Sequence, residues 1–147
     1  MADLTINRRA TFDYEILETY EAGIELRGFE VKALRNGHAQ LLGSFIVTRN
    51  GEAWLTNATI SPYQPRNAPK DHDPARPRRL LLHRRELKEL IGKSAQKGLT
   101  LVPLRIYTKG SRIKIAFGLA RRKKKRDQRE RIREREDAQK IDRALKE

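Results

Sequence analysis

The sequence predicts a β-dominated α+β fold: a small closed antiparallel β-barrel with about three short helices, followed by a basic C-terminal tail. Several segments alternate apolar and polar residues with period two, helical spacing is confined to short stretches, and the composition changes sharply at residue 121. Because about 120 residues suffice for a single core, we predict a body over residues 1–120 and a tail over 121–147.

The first third of the chain predicts a basic arm, two extended segments and a helix. Residues 7–10 form an exposed basic arm, and residues 12–16 alternate as a strand does. Residues 21–23 have the composition of a turn, which would precede a second extended segment at 24–27. Apolar residues at helical spacing, followed by Asn-Gly, predict a helix at about 29–36.

The middle of the chain predicts a hairpin and a long loop. Residues 44–48 and 52–56 flank Asn50 and Gly51. Asn-Gly is the strongest short-range hairpin signal, because both turn residues need positive φ. Five of the six prolines then fall within 61–79, which predicts a long, irregular surface loop.

The last part of the body predicts one helix, a further helical turn and two strands. Leucines at helical spacing predict a helix over 84–91 that ends at Gly92, with a second short turn at 93–97. Apolar residues at 99, 101 and 106 precede a segment that alternates strictly over 113–119, and together they predict an antiparallel pair.

The order of elements and the charge together indicate a barrel that binds nucleic acid. A small sheet must cap its edges or close, and a barrel with helices at its ends is the economical solution. By analogy we expect the OB type, a common nucleic-acid scaffold. The net charge of +14 favours a polyanionic partner. The alternative is a basic protein whose charge only aids solubility.

The sequence also excludes several classes of protein. It has no cysteine, which excludes disulfides and thiolate metal sites. No apolar run approaches the roughly 20 residues of a membrane span. His38, His72 and His83 lack ligand spacing, and no catalytic motif is present. We therefore expect a soluble, cytoplasmic protein without a metal, cofactor, membrane contact or enzyme activity.

A few side chains could recognise RNA. A carboxylate such as Glu21 in a basic face could accept hydrogen bonds from base edges or ribose hydroxyls. Tyr20 and Tyr63, at predicted turn or loop edges, could stack on an unpaired base, whereas we expect most other aromatic residues in the core. Three guanidinium groups could hold phosphate: Arg76, Arg78 and Arg79. The alternative for all of these charges is an ordinary solvated surface.

The tail is the most densely charged part of the chain. Residues 121–147 carry 13 Lys/Arg and 7 Asp/Glu, and their few apolar residues cannot offset the entropy of ordering. If a polyanion neutralised the excess cations, the tail could form a helix of about 40 Å that enters a narrow channel. The alternative is a flexible tail that only raises non-specific affinity.

Seven short strings, in order and with matching spacing, together resemble the small protein B family, the SsrA- or tmRNA-binding proteins. The strings are NRRA (7–10), YEAGI (20–24), GFEVK (28–32), LR (34–35), RLLLH (79–83), GLTLVPL (98–104) and GLA (118–120).

The resemblance implies an RNA-binding adaptor of trans-translation in the bacterial cytoplasm. Such a protein binds the tRNA-like domain of transfer-messenger RNA as a monomer, one to one, and delivers it with elongation factor Tu to a stalled ribosome. Its OB-type body replaces the missing anticodon arm. Its tail, disordered when free, becomes a helix in the vacant mRNA channel beside the decoding centre of the small subunit. The resemblance implies no enzyme activity.

The resemblance also implies where the contacts lie. The family's contacts to the tRNA-like domain fall on Asn7, Glu21, Leu81 and His83, and we add Arg8, Tyr20 and Arg79. The family's tail motif falls on Lys123, Lys124, Asp127 and Arg129, and we add Arg122, Lys125, Arg126, Ile132 and Arg133.

Three tail positions depart from the family pattern. Arg122 stands where the family usually has Gly, Arg126 where it has Tyr or His, and Gln128 where it has Lys. The guanidinium plane of Arg126 can still stack on a base. The loss of glycine at Arg122 removes conformational freedom in φ.

The alternative function is a generic OB-fold protein that binds single-stranded RNA, or a ribosome-associated protein. Such a protein would not prefer a tRNA-like RNA over an unstructured one, and it would lose nearly all affinity with added salt.

Overall fold

The structure, a computed structural model, describes residues 2–62, 69–70, 72–124, 132–133 and 135–136. Among the described residues up to 124, strands predominate, and the three helices are short. The elements are β1 (Ala2–Ile6), α1 (Ala10–Asp13), β2 (Tyr14–Ile24), α2 (Gly28–Arg35), β3 (Ala39–Gln40), β4 (Phe45–Arg49), β5 (Glu52–Thr56), β6 (Thr59–Ile60), β7 (Arg78–Leu81), α3 (Arg84–Ser94), β8 (Leu99–Lys109) and β9 (Arg112–Arg122). The predicted β-dominated fold with three short helices is confirmed.

Seven strands form one antiparallel sheet in the order β1-β8-β4-β5-β7-β2-β9, and β3 pairs with β6 in a small second sheet. The long strand β8 also pairs with β9 along its whole length. Since β9 occupies one edge of β8, β1 and β4 share the other edge. The pairings therefore lead from β8 through β4, β5, β7, β2 and β9 back to β8.

The core lies between these strands because their alternate residues point to the same side. Leu55, Leu80, Ile106, Ile115 and Phe117 are almost completely buried there. The helix α2 adds Ala33 and Leu34, and α3 adds Leu90.

The predicted hairpin is confirmed. β4 and β5 pair from Phe45 opposite Thr56 to Arg49 opposite Glu52. Asn50 has φ 53° and Gly51 has φ 74°, so both turn residues adopt the left-handed conformation that Asn-Gly favours.

The predicted turn at 21–23 is wrong, because β2 runs unbroken from Tyr14 to Ile24. β2 is held by β9 along most of its length and by β7 at its end, so long-range pairing overrides the turn-like composition. Gly23 instead allows β7 to approach β2 closely, because a Cβ at this position would lie 3.2 Å from Cβ of Leu81.

One further expectation at the N-terminus is wrong, and one strand was missed. The predicted strand at 12–16 begins only at Tyr14, because Ala10–Asp13 form one helical turn. The strand Ala2–Ile6 was not predicted, since its partner is the distant β8.

The boundary predicted at Gly92 is also wrong, because α3 continues to Ser94 and no separate helical turn follows at 93–97. Gly92 is exposed, so it costs only its low helix propensity, about 1 kcal/mol. The left-handed conformation that leads into β8 occurs at Gly98, with φ 83°.

The predicted boundary between body and tail falls inside β9, which extends to Arg122. The next residue is attached as well: the backbone N–H of Lys123 donates to the carbonyl of Asp13 (2.9 Å), and its Nζ donates to the carbonyl of Thr11 (2.7 Å). Within the described ranges, no helix is long and apolar enough to cross a membrane.

Candidate nucleic-acid interface

Three of the predicted RNA-contact residues line one open cavity of about 560 Å³. These are Arg79, Leu81 and His83. Arg112 and Lys114 line the same cavity and were not predicted as contacts, because their strand β9 is distant in sequence. The cavity therefore combines cations from two separate parts of the chain with an exposed apolar side chain.

Strand pairing explains why these residues meet. Gly23 of β2 lies opposite Leu81 of β7 on one side and opposite Lys114 of β9 on the other. Since glycine has no side chain, the surface between Leu81 and Lys114 stays open. Leu81 is 47% exposed, so its apolar side chain forms part of the open surface of this cavity.

His83 stands at the start of α3. It is the N-cap residue, and its backbone N–H donates to Oε1 of Glu86 (3.3 Å). Because this capping interaction fixes the first turn, the exposed imidazole is held where β7 meets the helix.

Glu21 lies two residues before Gly23 on β2, and its carboxylate is held in place by β8. The hydroxyl of Tyr107 donates to Oε2, and Nζ of Lys109 lies 3.2 Å from Oε1. The hydrogen bond from Tyr107 and that from Lys109 lower the pKa of Glu21, and the nearby charge of Lys114 contributes. Burial and the bond to Glu21 raise the pKa of Tyr107 to about 12.

Glu21 is therefore a charged and oriented acceptor at neutral pH. Its side chain is 40% exposed, so its remaining acceptor positions face solvent. It differs in this respect from an ordinary surface glutamate, which samples many rotamers.

Tyr20 faces the opposite side of β2 from Glu21, as successive residues of a strand do. Its ring stacks on Phe117 with centroids 5.5 Å apart, and its hydroxyl donates to Oε2 of Glu18. Glu18 in turn accepts a hydrogen bond from Lys93 of α3 (2.8 Å), which lowers the pKa of Glu18. Tyr20 lies within a strand, not at a turn, and Tyr63 lies outside the described residues.

The predicted phosphate site at the arginine cluster is wrong for two of its three members. Arg78 is completely buried, with Nε 2.9 Å and Nη2 2.7 Å from Oε2 of Glu30. Arg76 donates to Oε1 of the same carboxylate. Arg76 keeps 22% of its side chain exposed, and Arg79 keeps 40%; Glu25 accepts from Nε of Arg79 at 3.0 Å. Alternation along β7 explains why Arg78 is buried and its neighbour Arg79 is not, since successive residues of a strand point to opposite faces.

Asn7 and Arg8 do not reach this cavity. The side chain of Asn7 donates to the carbonyl of Pro103 (2.9 Å), and its backbone N–H donates to that of Leu104 (2.8 Å). With Arg8 it lines a different cavity of about 290 Å³, next to Leu42.

The tail residues are only partly described. Arg122 ends β9 opposite Tyr14, and Lys124 is exposed. Ile132 and Arg133 are helical and exposed. Lys125, Arg126, Asp127 and Arg129 lie outside the described residues. Among the residues that the structure does describe, no group of three or more acidic or histidine side chains could hold a metal ion.

Comparison with known proteins identifies the family. The model of the family described as "SmpB protein" matches residues 4–147. The chain belongs to the SmpB family. It is 52% identical over 143 residues to an SsrA-binding protein of Thermosynechococcus vestitus, covering 97% of this chain and 94% of that protein. It is 54% identical over 143 residues to an SsrA-binding protein of Gloeothece citriformis, covering 97% and 92%.

A solved structure shares both fold and sequence with this SmpB-family chain. It is described as "tmRNA-SmpB: a journey to the center of the bacterial ribosome". The two chains are 54% identical with a TM-score of 0.67, and the match covers 82% of this chain and 84% of the other.

Proposed function

We propose that this chain is an RNA-binding adaptor of trans-translation. It binds the tRNA-like domain of tmRNA, delivers it with elongation factor Tu to stalled ribosomes, and uses its tail to sense the empty mRNA channel. Membership of the SmpB family carries this proposal, because relatives more than half identical over nearly the whole chain are SsrA-binding proteins. The protein acts in the cytoplasm as a monomer, one to one with RNA, and catalyses no reaction.

The sheet is proposed to be a closed barrel of the OB type. The pairings of β8 with β4 on one edge and β9 on the other support this, because they return the strand order to its starting strand. OB-type barrels bind nucleic acids on such surfaces.

The body is proposed to recognise RNA through the 560 Å³ cavity and the neighbouring carboxylate of Glu21. Arg79, Arg112 and Lys114 would contact phosphate, and Glu21 would accept hydrogen bonds from ribose hydroxyls or base edges. An oriented acceptor among cations supports recognition of a folded RNA, because a purely basic surface would bind any RNA equally. Asn7 and Arg8 form a second contact region at the 290 Å³ cavity.

The tail is proposed to act separately from the body. Arg122, Lys123 and Lys124 would set its direction where β9 ends, and Lys125, Arg126, Asp127, Arg129, Ile132 and Arg133 would enter the mRNA channel. The composition break in the sequence supports this division of labour.

A truncated chain tests whether the body and the tail have separate roles. A chain that ends at Lys124 keeps all of β9 and both hydrogen bonds of Lys123, so its body should fold as in the full chain. We expect the dissociation constant for the tRNA-like domain to stay within about twofold, while peptide tagging on stalled ribosomes is lost. An equal loss of RNA binding and tagging would contradict separate roles.

Glu21→Gln tests the recognition by the body. A hydrogen bond to a charged group contributes about 1.5–3 kcal/mol, so the variant should bind the tRNA-like domain roughly 10- to 150-fold more weakly. Glu15→Gln, at an exposed position on the same strand, is the matched control and should bind normally. Competition between the tRNA-like domain and an unstructured RNA of equal length separates this function from the generic alternative. If both RNAs compete equally for the full chain, the adaptor function is refuted.

A further inference from the structure

The outer face of the β4–β5 hairpin carries an aromatic stripe, which we define as Phe45, Val47, Trp54, Thr56 and Pro77. These residues, with Arg49 and Asn50, line a cavity of about 460 Å³. Phe45 is 39% exposed, and Val47 and Trp54 are half-buried. The cavity shares none of its lining residues with the 560 Å³ cavity described above.

The alternation of the two strands places these side chains on the outside. Ile46 and Leu55 are buried in the core, so the residues on either side of each point outward. Phe45 lies opposite Thr56, which places the rings of Phe45 and Trp54 diagonally across the strand pair. Diagonal neighbours are about 7–8 Å apart, within reach of a flat group inserted between aromatic rings.

Cations flank the aromatic stripe on two sides. Arg49 lies at the turn end of β4 and lines the 460 Å³ cavity. Arg79 of β7 lies opposite Trp54 of β5, and it also lines the 560 Å³ cavity. A phosphate backbone that contacts Arg79 could therefore continue from the proposed RNA surface onto the hairpin without leaving the sheet.

Two polar atoms at the stripe have no partner among the described residues. Nε1 of Trp54 and Oγ1 of Thr56 are buried and have no hydrogen-bond partner within the part of the chain that the structure describes. Buried polar groups without partners are costly, and native proteins usually satisfy them. The carbonyl and amino groups of a base are acceptors and donors of the kind that these atoms need.

We propose that the aromatic stripe binds one unpaired RNA base, which stacks between the rings of Trp54 and Phe45 while Arg49 or Arg79 holds its phosphate. Exposed aromatic residues on an antiparallel sheet beside cations are the usual means by which proteins bind unpaired bases. A second copy of this chain is a poor occupant, because each copy carries a net charge of +14 and the stripe is flanked by cations. The proposal rests on the proposed function only in taking RNA as the partner.

The chain contains a natural reporter for this site. Trp54 is its only tryptophan, so intrinsic tryptophan emission reports on the aromatic stripe alone. The full-length protein is titrated with a six-nucleotide single-stranded RNA and, separately, with the tRNA-like domain of tmRNA. We expect saturable quenching of Trp54 emission by both RNAs.

Phe45→Leu removes a ring but keeps an apolar side chain and the tryptophan. Stacking of a base on an aromatic residue contributes about 1–3 kcal/mol, so the variant should bind the six-nucleotide RNA roughly 5- to 150-fold more weakly. Leu17→Ala is the matched control, because Leu17 is 40% exposed on β2, outside the stripe. It should bind as the unaltered chain does, and circular dichroism establishes that both variants are folded.

The outcomes separate this inference from the proposed function. Binding of the tRNA-like domain without any change in Trp54 emission, and with equal affinity for Phe45→Leu, overturns the stripe as a base site and leaves the proposed function intact. Emission that changes with protein concentration in the absence of RNA assigns the stripe to self-association, which also overturns it. Quenching by the six-nucleotide RNA in a protein that fails to bind the tRNA-like domain supports the stripe and refutes the proposed function.

Discussion

The buried carboxylate of Glu30 is the most sensitive point that the structure reveals. Its Oε1 accepts from the backbone N–H of Arg27 (2.9 Å) and from Arg76, and its Oε2 accepts two bonds from Arg78. Arg78 also donates to the carbonyls of Ala58 (2.6 Å) and Pro74 (2.8 Å). One carboxylate thus joins the start of α2 to β7 and to the loop that precedes it.

Replacing Glu30 by glutamine should strongly destabilise the fold. Both Glu30 and Arg78 are completely shielded from solvent, so the variant leaves a buried guanidinium without its counter-charge. Breaking a buried pair in this way costs about 3–5 kcal/mol, against a total stability of about 5–15 kcal/mol for a typical protein. For a chain of this length the melting temperature should fall by roughly 6–20 °C.

The measurement is urea unfolding followed by the emission of Trp54. Glu25→Gln is the matched control, since Glu25 is 58% exposed and pairs with the half-exposed Arg79. An exposed ion pair contributes at most about 1 kcal/mol, so this control should unfold near the urea concentration of the unaltered chain. If Glu30→Gln costs no more than Glu25→Gln, the assignment of a structural role to the buried pair is refuted.

The pH dependence gives a second test of the same residue. Burial raises the pKa of Glu30, but the hydrogen bonds from Arg76, the Arg27 backbone and Arg78 together lower it below its ordinary value of 4.5. A lowered pKa in the folded state contributes stability above pH 4.5 that is lost as the pH falls through the folded-state value. The difference in stability between the unaltered chain and Glu30→Gln should therefore narrow as the pH falls below 4.5. A constant difference would show that the charge of Glu30 is irrelevant.

Three glycines give further predictions, each tested by thermal unfolding. Gly118→Ala should cost about 1–3 kcal/mol, because the new Cβ would lie 2.8 Å from Cγ2 of Ile16 and 3.3 Å from the carbonyl oxygen of Glu18; unchanged stability would mean that β2 shifts freely. Gly51→Ala should cost about 1–2 kcal/mol, because φ is +74° at this turn position. Gly92→Ala should instead stabilise by about 0.5–1 kcal/mol, because Gly92 lies inside α3 with nothing within 4 Å of a new Cβ; a loss of stability there would contradict the continuous helix.

Local signals predicted the elements whose conformation depends on neighbouring residues. The hairpin at Asn50 and Gly51 was predictable because two adjacent residues determine its turn. The unbroken course of β2 through Gly23 was not predictable, because it depends on pairing with β9, some ninety residues later. Long-range pairing likewise brings Arg112 and Lys114 of β9 to the same cavity as Leu81, so this part of the cavity could not be assembled from the sequence.

The candidate site shows the same limit for individual residues. Glu21 was recognisable as an acid in a basic chain, but its fixed orientation depends on Tyr107, a residue expected in the core. Phe45 and Trp54 were also expected in the core, because both hairpin strands are apolar over consecutive positions and no alternation separates their two faces. Period-two alternation places Phe45 on the other face of its strand from Ile46, and Trp54 on the other face from Leu55. Only the structure establishes that Ile46 and Leu55 are on the buried face.

The arginines of β7 show why a cluster of charges is not by itself a binding site. β7 has four residues and pairs with each neighbour at only two positions, so backbone pairing alone specifies its register weakly. A slip by one residue would turn Arg79 and Leu81 inward and expose Leu80. The bonds between Arg78 and Glu30 oppose this slip, because they form only when Arg78 points inward. The buried arginine therefore serves the RNA surface indirectly: it keeps its neighbours Arg79 and Leu81 on the outer face, where the proposed contacts lie.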